Sequence, residues 1–283
     1  PYVVLEGGKL YWIQDAYTMT DHYPYSTPET TQFGKLNYIR NSVKVVINAY
    51  SGELQFYVTE PEDPLIVTTQ KIFPTLFKSL QEMPQGLKDH MRYPQDLFSI
   101  QAEQYLTYHM TDTNEFFNKA DQWSVPQEFF RGSFQPMEPY FLNMRLPGEE
   151  QEEFVLLLPF TPSERENMVG WLAARSDGTS YGKLLAFAFP KGVTYFGPSQ
   201  VEARISTDEK IKEFFALRCT GEASCIRGNL LVIPMEGTEG NNQILYAEPL
   251  YLQATGLAFP ELKQVILADT SRVVMEATLE EAI

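Results

Sequence analysis

Val43-Lys-Val-Val-Ile-Asn-Ala-Tyr-Ser-Gly-Glu-Leu-Gln-Phe-Tyr-Val-Thr59 consists of two runs rich in β-branched and aromatic residues around Ser51-Gly52-Glu53. Such runs suit pleated, half-buried strands, and the Gly-containing break between them predicts a β-hairpin. The same grammar returns further along. Residues 140–146 and 153–159 flank Pro147-Gly148-Glu149, and 183–189 and 193–196 flank Pro190-Lys-Gly192. Strand character also marks 10–14, 229–234, 243–253, 263–268 and 272–275.

Helix signals fall between these hairpins. Asp63-Pro64 is a cap with a proline suited to the first helical position, and Pro74 and Pro84 divide the stretch between 65 and 91 into short helices. Over 94–109, Phe98, Ala102, Tyr105 and His109 share one helical face. Asp112 caps a short helix over 115–119. Thr161-Pro-Ser-Glu164 reads as a capping box and predicts a helix to about 175, ending near Asp177-Gly178. Ser206-Thr-Asp-Glu209 predicts another to about 218. Hairpins and helices in blocks, without regular strand–helix–strand alternation, give an α+β class: antiparallel hairpins packed with several short helices. The irregular stretch 122–139 marks a boundary between lobes 1–125 and 126–283, unless the chain is one domain.

The composition of the 283 residues is that of an ordinary globular protein, with 43% apolar residues, 16 Tyr, 19 Phe and 3 Trp. The formal charge of −15 argues against nucleic acid and anionic lipid as direct partners, because the phosphate-neutralising attraction has the wrong sign. No apolar run reaches membrane-span length. The chain starts at Pro1 without methionine, and Thr278-x-x-Glu281 opens a helix just before the last residue, so the sequence reads as an excised part of a longer polypeptide. Cys219 and Cys225 are six residues apart, and either a disulfide or two free thiols fit that spacing.

Candidate chemistry concentrates in Gly8-Lys-Leu-Tyr-Trp-Ile-Gln-Asp-Ala-Tyr-Thr-Met-Thr-Asp-His-Tyr-Pro-Tyr-Ser26. Asp15 and Asp21 offer carboxylate oxygens to calcium, with His22 beside them. Alternatively, Tyr11, Trp12 and Tyr17 stack on a sugar or peptide while Asp15, Asp21 and His22 hydrogen-bond it. As plain structure, the stretch is a strand and polar turn with its aromatics in the core. Arg204 and Arg227 are either ligand-binding cations or members of ion pairs with Glu202 or Glu248 across a sheet. Gly178-Thr-Ser-Tyr-Gly182 matches G-x-S-x-G, but the expected helix precedes it, a strand comes after it, and no histidine lies beyond Ser180, so it reads as a loop. The Gly237/Gly240 tract lacks the Lys-Ser/Thr of a phosphate loop and reads as a hairpin turn. Adjacent glutamates at 149/150 and 152/153 read as a solvated turn. No catalytic residue emerges.

Several further words accompany the opening stretch. They include Asn37-Tyr-Ile-Arg-Asn-Ser-Val-Lys44, Arg92-Tyr-Pro-Gln-Asp-Leu-Phe98, Met144-Arg-Leu-Pro-Gly-Glu-Glu150, Gly197-Pro-Ser-Gln-Val-Glu-Ala-Arg204 and Glu248-Pro-Leu-Tyr-Leu-Gln253. In this order they resemble the soluble region of an uncharacterised family of large polytopic membrane proteins, found mainly in cyanobacteria and actinobacteria. The resemblance implies a parent in the cell membrane, with this segment extracytoplasmic or periplasmic and partnered by the membrane-spanning portion. It brings no cofactor and no catalytic residues. The function expected is a binding or interaction module for an envelope sugar, peptide or lipid headgroup. An envelope-modifying hydrolase or transferase and a calcium-stabilised domain are the alternatives.

Overall fold

The computed structural model describes residues 1–190, 192–219, 223–236, 242–254 and 259–283. The chain divides into two compact units, one of Pro1–Gln101 with Arg175–Lys183 and the other of Ala102–Ala174 with Leu184–Ile283. Both mix helices with antiparallel sheet, so the class is α+β.

The first unit is built on a five-stranded sheet of β1 (Tyr2–Glu6), β2 (Lys9–Thr20), β5 (Tyr38–Asn48), β6 (Leu54–Val58) and β7 (Phe77–Ser79), in the order β1-β2-β5-β6-β7. A small ribbon, β3 (Glu29–Thr31) with β4 (Gly34–Leu36), interrupts it. β1 and β2 are joined by Gly7 and Gly8, both at positive φ (55° and 75°), a two-residue turn that only glycine, asparagine or aspartate tolerates well. β5 and β6 form the hairpin expected around Gly52.

The register sorts side chains onto two faces. On one, Val4, Ile13, Val46 and Tyr57 pack under Met83, Leu87 and Met91. Leu87 belongs to α2 (Gln85–Lys88). On the other, Val43, Val45 and Val58 pack against Ile66 of α1 (Pro64–Ile72). Asp63 caps α1 as its Asp-Pro sequence predicts, and also accepts from Tyr38 Oη (2.5 Å), Thr18 Oγ1 (2.7 Å) and Ser42 Oγ (2.8 Å). Burial alone would raise its pKa. The hydrogen bonds from Tyr38, Thr18, Ser42 and Ile66 N outweigh burial and hold the carboxyl below its ordinary value.

α3 (Gln95–Tyr108) matches the expected helix, with Phe98 and Ala102 fully buried along it. His109, just past its end, stacks on Trp123 at 3.8 Å with Nδ1 2.9 Å from Tyr105 O. The second unit continues with α4 (Thr113–Asn118), capped by Asp112, then β8 (Trp123–Ser124), β9 (Gln127–Phe130) and β10 (Ser133–Pro136). The stretch read as irregular thus contains a short hairpin, β9–β10. β11 (Tyr140–Arg145), β12 (Glu152–Pro162), β13 (Gly170–Arg175) and β14 (Leu184–Ala188) form one sheet, with β8 pairing β12.

Here one expectation fails. Pro162, Ser163 and Glu164 do not open a helix: β12 runs through Pro162, and 170–175 is the buried strand β13. The capping-box pattern is satisfied by a turn, and the near-continuous apolar run Trp171-Leu-Ala-Ala174 is fully buried, as an interior strand requires. The third hairpin signal also resolves differently. β14 pairs with β13, while Tyr195 bridges Met168. Gly178–Ser180 is a single 3-10 turn, so the G-x-S-x-G match is a connection.

α5 (Pro198–Thr207) and α6 (Glu209–Arg218) come next, the first unforeseen as a helix and the second capped by Asp208. β15 (Ala223–Arg227), β16 (Leu231–Glu236), β17 (Asn242–Ala254), β18 (Glu261–Ala268) and β19 (Val273–Glu276) make the last sheet, and α7 (Leu279–Ala282) ends the chain. The Gly237/Gly240 tract lies outside the described residues. Cys219 and Cys225 are disulfide-bonded, which decides between the two readings of that pair. Among the described residues no helix is long and apolar enough to cross a membrane.

Candidate functional site: an open cleft and two buried ion networks

The aromatic–acid stretch is mostly one strand, and strand geometry disperses its side chains. Tyr11, Ile13 and Asp15 lie on one face of β2, and Trp12 on the other. Trp12 is 40% exposed, not core. Tyr17 sits at a bulge between Ala16 and Thr18, meets the Phe33 ring at 5.4 Å and donates to Asp96 Oδ2 at 3.3 Å. Asp21 and His22 lie beyond the strand end, exposed, with His22 Nδ1 against Asp21 Oδ1. At about 3.3 Å per strand residue, Asp15 and Asp21 are roughly 15–20 Å apart, too far to share one ion. Among the described residues no three His, Cys, Asp or Glu side chains gather into a metal-holding group.

Of the candidate ligand residues in that stretch, Tyr11 lines a cavity. At the Gly7–Gly8 end of the first face lies an open cleft of about 410 Å³. Glu6, Lys9, Tyr11, Asn48, Glu53 and Gln55 supply its polar and aromatic wall, and Val46, Pro84 and Leu87 its apolar floor. Strand register assembles that wall, because Glu6 pairs with Lys9, Tyr11 with Asn48, and Val46 with Gln55. Hydrogen bonds hold three of the polar groups, Asn48, Gln55 and Glu53, in place. Asn48 Oδ1 accepts from Tyr50 N and Ser51 N (2.9 and 3.1 Å), Tyr57 Oη donates to Gln55 Oε1, and Gln55 Nε2 donates to Glu53 Oε1 at 3.2 Å. The Glu6 carboxylate lies so close to Gly86 that a Cβ there would stand 2.0 Å from Glu6 Oε2. A side chain at 86 would displace the acid from the cleft wall.

Further along the same face Lys44 is fully buried. It donates to Asp15 Oδ1 and to Arg92 O (2.9 Å), and its ammonium lies 5.7 Å from the centre of the Tyr181 ring. Tyr2 Oη accepts from Arg92 N at 3.0 Å. Burial, only partly offset by the Lys44 charge, pushes the Tyr2 phenol up to about 12. Burial and the Asp15 charge raise that of Tyr181 as well. Asp15 is therefore the counter-ion of a buried lysine.

The second unit carries a different network. Arg227 Nη2 donates to Glu202 Oε2 and Glu248 Oε2, Nε donates to Glu248 Oε1, and the guanidinium lies 5.1 Å from the Phe129 ring centre. Glu202 (2% exposed) and Glu248 (0%) are as buried as core leucines. Glu128, also buried, accepts from Asn229 Nδ2 (2.9 Å) and Leu230 N (3.0 Å). Glu202 Oε1 is buried without a hydrogen-bond partner among the described residues. Burial, then the Glu248 charge, push Glu202 up to about 7 against the pull of Arg227. Arg204, by contrast, donates to Asp269 O at 2.7 Å and faces the Phe196 ring at 5.6 Å. The expected pairing of an arginine with Glu202 or Glu248 thus belongs to Arg227, which reaches both.

The sequence words that carry the resemblance are spread over both units. Residues 1–218 fit the model of the uncharacterised protein family UPF0182. The chain belongs to the UPF0182 family. Over all 283 residues this UPF0182 chain is 50% identical to UPF0182 proteins of Pelotomaculum thermopropionicum and Moorella thermoacetica, covering 30% of each. It is 49% identical over 274 residues to a UPF0182 protein of Nostoc sp., covering 97% of this chain and 26% of that one. The UPF0182 chain therefore spans less than a third of these relatives' length. No solved structure matches it.

Sequence reasoning reached Tyr11 and Arg227 but missed Glu6, Lys9, Asn48, Glu53, Gln55, Lys44 and Glu128. A signal existed for some. Gly7-Gly8 between apolar runs is a hairpin turn that sets Glu6 opposite Lys9, and a lone lysine at 44 inside Val43–Ile47 marks a charge that must find a buried partner.

Proposed function

We propose that this chain is a binding module whose ligand is a polar, hydroxyl-rich molecule of the cell envelope, a sugar or sugar-bearing headgroup. The cleft at the Gly7–Gly8 end of the sheet carries this reading. Its wall offers a phenol, two side-chain amides, two carboxylates and an ammonium around an apolar floor. The two amides and the Glu53 carboxylate, held by hydrogen bonds, take hydroxyls without reordering, and the tyrosine ring packs on the apolar face of a pyranose. One ammonium against two carboxylates disfavours anionic ligands. The chain works as part of a longer polypeptide, in an extracytoplasmic segment of a membrane protein. Its length relative to its relatives and the Cys219–Cys225 disulfide, a bond that persists in oxidising compartments, support that placement.

A thermal-shift series with peptidoglycan sugars, neutral hexose oligomers and inositol tests the ligand. At a hundred times the dissociation constant a true ligand adds about 2.7 kcal/mol, a rise of several degrees. Tyr11→Ala and Glu53→Gln should each abolish the rise. Failure of every sugar to shift the melt, or a shift that survives both substitutions, rejects the cleft as the site.

A further inference from the structure

The face opposite the cleft is unfinished at the same end of the sheet. Ile66 of α1 covers Val43, Val45 and Val58, but the β1–β2 end has no such cover among the described residues. There Val3 (45% exposed), Leu5 (63%), Leu10 (40%) and Trp12 (40%) stand out with Leu54 (52%). Register makes them one patch: Val3 pairs with Trp12, Leu5 with Leu10, Trp12 with Ile47, and Ile47 with Leu54. A contiguous apolar patch of this kind marks an interaction surface rather than scattered surface residues.

The backbone beside the patch says what fits it. β1 ends the sheet order, so one of its edges has no neighbouring strand among the described residues. The two-residue turn makes Glu6 and Lys9 a hydrogen-bonded pair, and pairs then alternate, so Val4 and Tyr2 bond to β2 while Val3 and Leu5 do not. Leu10 O accepting from Ala49 N on the β5 side agrees with that phase. Val3 and Leu5 therefore direct both N–H and C=O away from the sheet, on the edge that borders the apolar patch. The opposite edge is blunted in the usual ways, since β7 has three residues and carries Lys78. β1 has no proline, lysine or bulge, and its single charge, Glu6, turns to the cleft face.

We infer that the outer edge of β1 receives an added strand: an extended segment with apolar side chains at alternate positions, contributed by the part of the same polypeptide that lies outside these 283 residues. Its backbone would bond to Val3 and Leu5, and its apolar side chains would extend the patch formed with Trp12 and Leu10. The occupant is chosen on two observations. The relatives carry about 70% of their length beyond the region matched here, and the net charge of −15 opposes association with a second copy. The inference rests on the reading of this chain as part of a longer polypeptide, and not on the ligand of the cleft.

The test uses the polypeptide as the cell makes it, with the photo-crosslinking residue p-benzoylphenylalanine placed at Leu5. After irradiation, the expected result is a crosslink within one polypeptide, mapped by mass spectrometry to a segment outside this chain. Deuterium uptake at the Val3 and Leu5 amides should be at least tenfold slower than in the isolated 283-residue chain. Leu5→Lys, whose charge sits on the exposed face, should abolish that protection and leave the Gly52 hairpin protected. A crosslinked dimer, a crosslink to a different protein, or free-edge exchange at Val3 and Leu5 overturns the inference. A gene product no longer than this chain would overturn the parent reading itself, a result visible from its size before any crosslinking.

Discussion

The buried Lys44–Asp15 pair in the first unit and the buried Glu202–Arg227–Glu248 group in the second do opposite things with charge. In the first, one ammonium meets one carboxylate and also donates to Arg92 O, so charge balances. In the second, one guanidinium faces two carboxylates with Glu128 close by, and one carboxylate oxygen is left without a partner among the described residues. Taking ions out of water costs several kcal/mol each, offset only when partners are complete. The balanced pair is thus a fixed structural element. The acid-rich group must hold a proton, or bear the repulsion of not holding one.

Removing Arg227 should produce the largest effect. Arg227→Met leaves Glu202 and Glu248 buried without a cation, a loss of about 5 kcal/mol at pH 8. Urea unfolding followed by tryptophan fluorescence measures it. Protonation relieves the repulsion, so the loss should shrink toward pH 5. A loss independent of pH would mean that packing, not charge, dominates there.

Lys44→Met should cost less, about 3–4 kcal/mol, because Asp15 keeps some access to water once its partner is gone. The comparison sharpens with Lys44→Met/Asp15→Leu. Replacing a balanced pair by apolar side chains should recover most of the loss, to within about 1 kcal/mol of the parent chain. If the double substitution is as unstable as the single one, the pair does more than neutralise itself.

Glu202→Gln gives the smallest change in stability below pH 5 and the clearest pH signature above it. The folded pKa of about 7 lies above the ordinary carboxyl value of 4.5, so the folded state binds this proton more tightly than the unfolded chain. The contribution is complete below pH 4.5 and is lost as pH rises to 7, with a slope approaching about 1.4 kcal/mol per pH unit. Glu202→Gln should remove that slope from unfolding curves between pH 5 and 7 and leave the chain more stable than the parent at pH 8. An unchanged slope would assign the proton to Glu248 instead.

Much of the fold was legible because local rules and burial agree over short distances. Ser51-Gly52-Glu53 between two β-rich runs, Asp63 before Pro64, and the apolar spacing of 94–109 each specify an element within a few residues. The capping-box pattern at 161–164 misled for the complementary reason. A pattern sufficient to start a helix was overridden by the burial of Trp171 through Ala174 as an interior strand. At the sites, the aromatic–acid run from Tyr11 to Tyr25 looked like one constellation but is largely a strand, and a period of two sends Tyr11 to the cleft and Trp12 to the apolar face.

By itself, the sequence determined the family, the α+β class, the hairpins at Gly52 and Gly148, and the helices capped by Asp63 and Asp112, all properties of neighbouring residues. Tertiary structure alone decided which acid meets which base. Glu202, Arg227 and Glu248 sit on α5, β15 and β17, and Asp15 meets Lys44 only through the register of β2 on β5. Long-range register fixes those partnerships, and a one-residue slip would send every one of those strand side chains to the opposite face.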